Sequence, residues 1–95
     1  MTNATTQPTT TTSPPRISAL PLWKVLLHDD DVNTVEFVAK TLVALTPLAA
    51  RDAFATTIEA HEQGVALILT THMERAELVQ EQLTSCRLTA TIERA

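Results

Sequence analysis

The stretch Leu22-Trp23-Lys24-Val25-Leu26-Leu27-His28-Asp29-Asp30-Asp31-Val32-Asn33-Thr34-Val35-Glu36 divides into two elements, and where it divides sets the fold. Its first seven residues are β-branched, aromatic or aliphatic apart from Lys24 and His28, which reads as a strand. Three acids then stop the run. Carboxylates at the end of a buried strand are costly to desolvate, so such a cluster is retained where it caps something or meets a cation. Asn33 and Glu36 have the spacing of a capping box, which predicts a helix with Val35, Val38, Leu42 and Leu45 on one face, stopped at Thr46-Pro47.

Downstream, a second helix is expected from about Leu48 to Gln63, with Ala50, Phe54, Ile58 and His61 on one stripe. Gly64, the only glycine in the chain, serves as its left-handed C-terminal cap. Residues 65–70 are apolar without alternation and read as a central strand. Thr71 and Glu74 form another capping-box pair ahead of a third helix through Met73, Ala76, Val79 and Leu83. Leu88, Ala90 and Ile92 alternate with Thr89, Thr91 and Glu93 in a closing strand. The expected fold is α+β, in the order β-α-α-β-α-β, with a three-stranded antiparallel sheet covered on one face by helices.

Composition narrows the function classes. The chain has 95 residues, 44% of them hydrophobic, and a net charge of −4, with two lysines and five arginines scattered along it. It can bury one small core, and it offers no basic stripe for nucleic acid. Seven threonines within the first twelve positions, then Pro14, Pro15 and Pro21, make residues 1–21 an expected disordered arm ahead of a domain over 22–95. A lone Cys86, no apolar run of membrane-span length and no signal-like N-terminus predict a cytoplasmic location.

The residue chemistry leaves several readings open. Asp29 to Asp31 compensate a helix dipole or bind a cation, and His61 is a satisfied histidine near a helix end or a ligand contact. No D-x-D-x-D-G or H-x-H pattern supports a metal site, and no nucleophile is placed beside His61, so neither a cofactor nor an enzymatic activity is expected.

Several separated motifs agree in order and spacing with one family. Trp23-Lys24-Val25-Leu26-Leu27-His28-Asp29-Asp30-Asp31, Glu36-Phe37-Val38, Ala53, His61-x-x-Gly64, Glu74-x-Ala76-Glu77 and Ile92-Glu93-Arg94-Ala95 resemble the Clp protease adaptor family, ClpS. The resemblance implies a fold like the C-terminal domain of the ribosomal stalk protein. It also implies an adaptor that binds the N-terminal residue of N-degron substrates and delivers them to a ClpA or ClpC unfoldase, whose N-terminal domain it contacts.

Carried over by position, the resemblance assigns Asp29, Asp30 and His61 to the substrate α-amino group. It assigns Leu27, His28, Asn33, Val35, Val38, Thr57, Ala60 and Leu88 to an apolar side-chain pocket, and Glu74 and Val79 to the unfoldase contact. Asp29 stands where the family has asparagine, Thr57 and Val35 where it has methionine, and Ala60 where it has valine. A wider, more polar pocket is therefore expected. The altered residues also allow a related module that docks on the unfoldase, or on another partner, without reading N-terminal residues.

Overall fold

The computed structural model describes residues 20–95. The arm expected over 1–21 lies outside these apart from Leu20 and Pro21. Six elements follow in the expected order: β1 (Leu22–His28), α1 (Val35–Leu45), α2 (Ala50–Gln63), β2 (Val65–His72), α3 (Met73–Ser85) and β3 (Ala90–Arg94). The strands form one antiparallel sheet in the order β2-β1-β3.

β1 is thus the central strand, and residues 65–72 form an edge instead of the expected centre. The reason lies in the layering. Helices cover only one sheet face, so in β2 Ala66 and Ile68 turn inward while Val65 and Leu67 remain exposed. An unbroken apolar run in sequence therefore does alternate in burial. On the open face Lys24 and Glu93 are register partners, and Lys24 Nζ lies 3.3 Å from Glu93 Oε2.

Val25 and Leu27 carry the sheet's central contribution to a core completed by Val38 and Leu42 of α1, Ala53 and Ala60 of α2, and Ala76, Val79 and Leu83 of α3. The buried stripe of α2 is Ala53, Thr57 and Ala60, one position off the expected Ala50, Phe54, Ile58 and His61. Small side chains allow this helix to approach its neighbours closely, and Phe54, half exposed, is left on the outer side.

The helix starts also differ from expectation. Thr34 caps α1, its Oγ1 accepting the Phe37 N–H at 3.1 Å, because Asn33 is drawn to Asp30. At α3 the Thr71–Glu74 box does not form. β2 continues to His72, which takes the cap position without a side-chain bond. Gly64 does close α2, with φ 91° and its N–H donated to Ala60 O at 2.8 Å. Any other residue there would carry the strain of a left-handed backbone.

Candidate functional site

The end of β1, the loop after it, the first turn of α1 and the last turns of α2 meet around one cleft. Two backbone bonds hold the strand end in place: His28 N–H to Thr89 O and Asp29 N–H to Gly64 O, each 3.0 Å. The second ties the acidic loop to the cap of α2, three residues beyond His61.

Within the loop Asp30 acts as organiser. Its Oδ1 accepts the N–H groups of Val32 at 2.7 Å and Asn33 at 2.9 Å, and its Oδ2 accepts the Asn33 amide at 2.6 Å. Asn33 Nδ2 also donates to Arg87 O at 3.0 Å, pinning the loop to the turn after α3. Partial burial works to raise the pKa of Asp30. The side chain of Asn33 and the backbone N–H groups of Asn33 and Val32 outweigh it and hold the carboxyl below the ordinary aspartate value.

An acid-stability prediction follows from this direction. The folded value is the lower one, so the unfolded chain takes up this proton first on acidification. Asp30 therefore contributes stability that is fully present above the ordinary value of about 3.9 and is lost as pH falls through the lowered one. Urea unfolding should show Asp30→Asn less stable than wild type at neutral pH, with the gap narrowing below about pH 4. A gap independent of pH would contradict this account of Asp30.

Asp29 Oδ1 accepts the Asp30 N–H at 2.8 Å and lies 3.3 Å from His61 Nδ1. His61 projects from the last turn of α2 with its side chain 64% exposed. His28 Nε2 is 2.7 Å from Thr91 Oγ1. Asp29, Asp30, His61 and His28 border a cleft of about 260 Å³, counting its open mouth, whose other walls are Leu27, Asn33, Val35, Val38, Thr57 and Ala60. Of the residues expected at the amine site and pocket, the structure brings all but Leu88 to this cleft.

Leu88 is buried and stands apart from the lining. Arg87 adopts a left-handed φ of 68°, and Leu88 N–H returns to Leu83 O at 3.0 Å, so Leu88 closes the end of α3. The expected polarity at Thr57 is also muted, because its hydroxyl donates to Ala53 O within the same helix at 2.8 Å. Asp31 is exposed. The role of Asn33 as a bridge from Asp30 to Arg87 went unread in the sequence. Its only local signal is the Asp-x-x-Asn spacing.

A second surface lies at the opposite end of β1. Trp23, His72, Met73, Glu74 and Arg94 border an open groove with Leu20 and Pro21, and the Arg94 guanidinium stands 5.9 Å from the Trp23 ring centroid. Glu74 is exposed there, as a contact residue must be. Val79 is only 2% exposed and packs in the core, which corrects its assignment to a partner contact. Its place on the inner stripe with Ala76 and Leu83 accounts for the burial.

Among the described residues no group of His, Cys, Asp and Glu is arranged to hold a metal ion, and no helix is long and apolar enough to cross a membrane.

The sequence matches the family model described as "ATP-dependent Clp protease adaptor protein ClpS" over residues 18–91. It is 46% identical over 74 residues to the ATP-dependent Clp protease adapter protein ClpS of Synechococcus sp. (strain CC9902), covering 77% of this chain and 71% of that one. It is 42% identical over 74 residues to the chloroplastic adapter CLPS1 of Chlamydomonas reinhardtii, covering 77% of this chain and 46% of the longer protein. The structure of Agrobacterium tumefaciens ClpS2 bound to L-phenylalaninamide superimposes with a TM-score of 0.74 at 26% identity, covering 79% of this chain and 98% of that one.

Proposed function

Because the chain belongs to the ClpS family of ATP-dependent Clp protease adaptors, we propose that it captures proteins by their N-terminal residue and presents them to a ClpA- or ClpC-type unfoldase. The observation that carries this reading is an acceptor-rich rim beside an apolar cleft. An N-terminal ammonium has three N–H donors and no acceptor. Among the described residues, Asp29 Oδ2 and His61 Nε2 have no partner, and Asp30 Oδ2 has one. Those three atoms supply as many acceptors as the ammonium has donors.

The side chain of the captured residue then enters between Leu27, Val35, Val38, Thr57 and Ala60. These walls are mostly apolar, which suits an uncharged side chain. Release of water from these walls contributes the apolar part of the affinity, and the charged rim contributes orientation. The phenylalanine amide in the Agrobacterium ClpS2 structure has the same two features, a free amine beside an apolar side chain. Glu74, at the far end of the sheet, is the residue proposed to face the unfoldase.

Fluorescence titration with peptides differing only at residue one tests the reading. Peptides beginning with Leu or an aromatic residue should bind, and those beginning with Gly or Glu should not. No discrimination along the series would leave the other reading, a module that docks on the unfoldase without sensing N-termini. His61→Ala should weaken binding of the Leu-initiated peptide about tenfold or more, the expected loss of one charge-assisted hydrogen bond. Circular dichroism should show the fold retained, since His61 is exposed and stands outside the core. Unfolding of this variant would instead give His61 a structural role.

A further inference from the structure

The contact between Asp29 and His61 has an asymmetry that the general amine-binding reading leaves unused. Asp29 is fixed at three points: its N–H donates to Gly64 O, its Oδ1 accepts from the Asp30 N–H, and the same oxygen faces His61 Nδ1. An ionised carboxylate only accepts hydrogen bonds, so the 3.3 Å contact becomes a hydrogen bond only with the proton on Nδ1. In a neutral ring the lone pair is then on Nε2.

We infer that Asp29 is a positioning residue for His61, locking the neutral imidazole in the Nδ1–H form so that Nε2 is ready to accept from the incoming ammonium. The inference rests on the amine-capture reading and specifies how one acceptor of that site is prepared. A free neutral imidazole favours the opposite, Nε2–H form. Its lone pair would then sit on Nδ1, and an N–H would point at a cation. Which nitrogen carries the proton is set by the bond the other makes, and Asp29 is the partner present here. No other hydrogen bond to His61 is formed by the described side chains.

Two substitutions separate orientation from charge. Asp29→Asn keeps an acceptor in place, because the Asp30 N–H selects the amide oxygen, but removes the negative charge. Asp29→Ala removes both. Nitrogen-15 NMR of the His61 ring at about pH 8, above the usual titration range of histidine, reports the tautomer directly. Wild type and Asp29→Asn should show Nδ1–H, and Asp29→Ala should revert towards Nε2–H.

Affinity for a Leu-initiated peptide should fall about tenfold in Asp29→Ala, the loss of a charge-assisted acceptor. In Asp29→Asn, where Nδ2 takes the place of the Oδ2 acceptor but His61 keeps its tautomer, it should fall too, by less than in Asp29→Ala. A wild-type ring in the Nε2–H form, an unchanged tautomer in Asp29→Ala, or equal affinities of Asp29→Ala and wild type would each overturn the inference. Failure of the amine-capture reading is distinguishable, because free and N-acetylated peptides would then bind wild type alike whatever the tautomer.

Discussion

N-acetylation of a Leu- or Phe-initiated peptide is expected to reduce its binding about a hundredfold or more. Acetylation removes the cation and two of its three donors, and the amide that remains is a poor match for a rim of two carboxylates and an imidazole. Each charge-assisted bond lost costs about 1.5–3 kcal/mol, so two lost bonds exceed the roughly 2.7 kcal/mol that corresponds to a hundredfold. The apolar side chain is unchanged between the two peptides, which assigns the whole difference to the rim. Paired fluorescence titrations at neutral pH supply the measurement. Equal affinities would mean that Asp29, Asp30 and His61 do not read the amine.

The second large effect is on the fold. Leu83→Ala is expected to bring the domain to the edge of unfolding at room temperature. Leu83 has no exposed surface and sits on the inner stripe of α3. Truncations of this kind cost about 2–5 kcal/mol, and a domain of about 75 residues has only about 4–11 kcal/mol in total. Urea unfolding should show a much lower midpoint with little change in slope. Leu78→Ala on the same helix is the control: Leu78 is half exposed, and its loss should shift stability by no more than about 0.5 kcal/mol. Equal costs at the two positions would refute the orientation of α3.

Much of this architecture is legible in the residues. Gly64 and Pro47 punctuate α2 and α1 because each encodes a backbone constraint that acts locally. The order of strands and helices follows from apolar spacing, and most of the cleft follows from motif positions in a family resemblance. What escapes sequence reading is decided by contacts between distant segments. Asn33 looks as good a cap as Thr34, and only the Asp30 carboxylate and the Arg87 carbonyl draw it away from that role.

The buried stripe of α2 is equally hidden, because apolar size points to Phe54 while close approach of the helix favours Ala53, Thr57 and Ala60. Leu88 and Val79 are misassigned for a related reason. The end of α3 is set by the positive φ of Arg87, and the burial of Val79 by the stripe it shares with Ala76 and Leu83.

The cleft and the groove around Glu74 stand at opposite ends of β1, from His28 to Trp23, about 17 Å apart at the rise of a strand. They share no lining residue. If the two surfaces hold substrate and unfoldase as proposed, loading one leaves the affinity of the other unchanged, and the productive complex is a bridge across a single adaptor copy. Bridges of this kind have an optimum. With too little adaptor few are made, and with a large excess substrate and unfoldase are each saturated by separate copies. Substrate turnover plotted against adaptor concentration should therefore rise, peak and decline, with the descending limb beginning once free adaptor exceeds the geometric mean of the two dissociation constants.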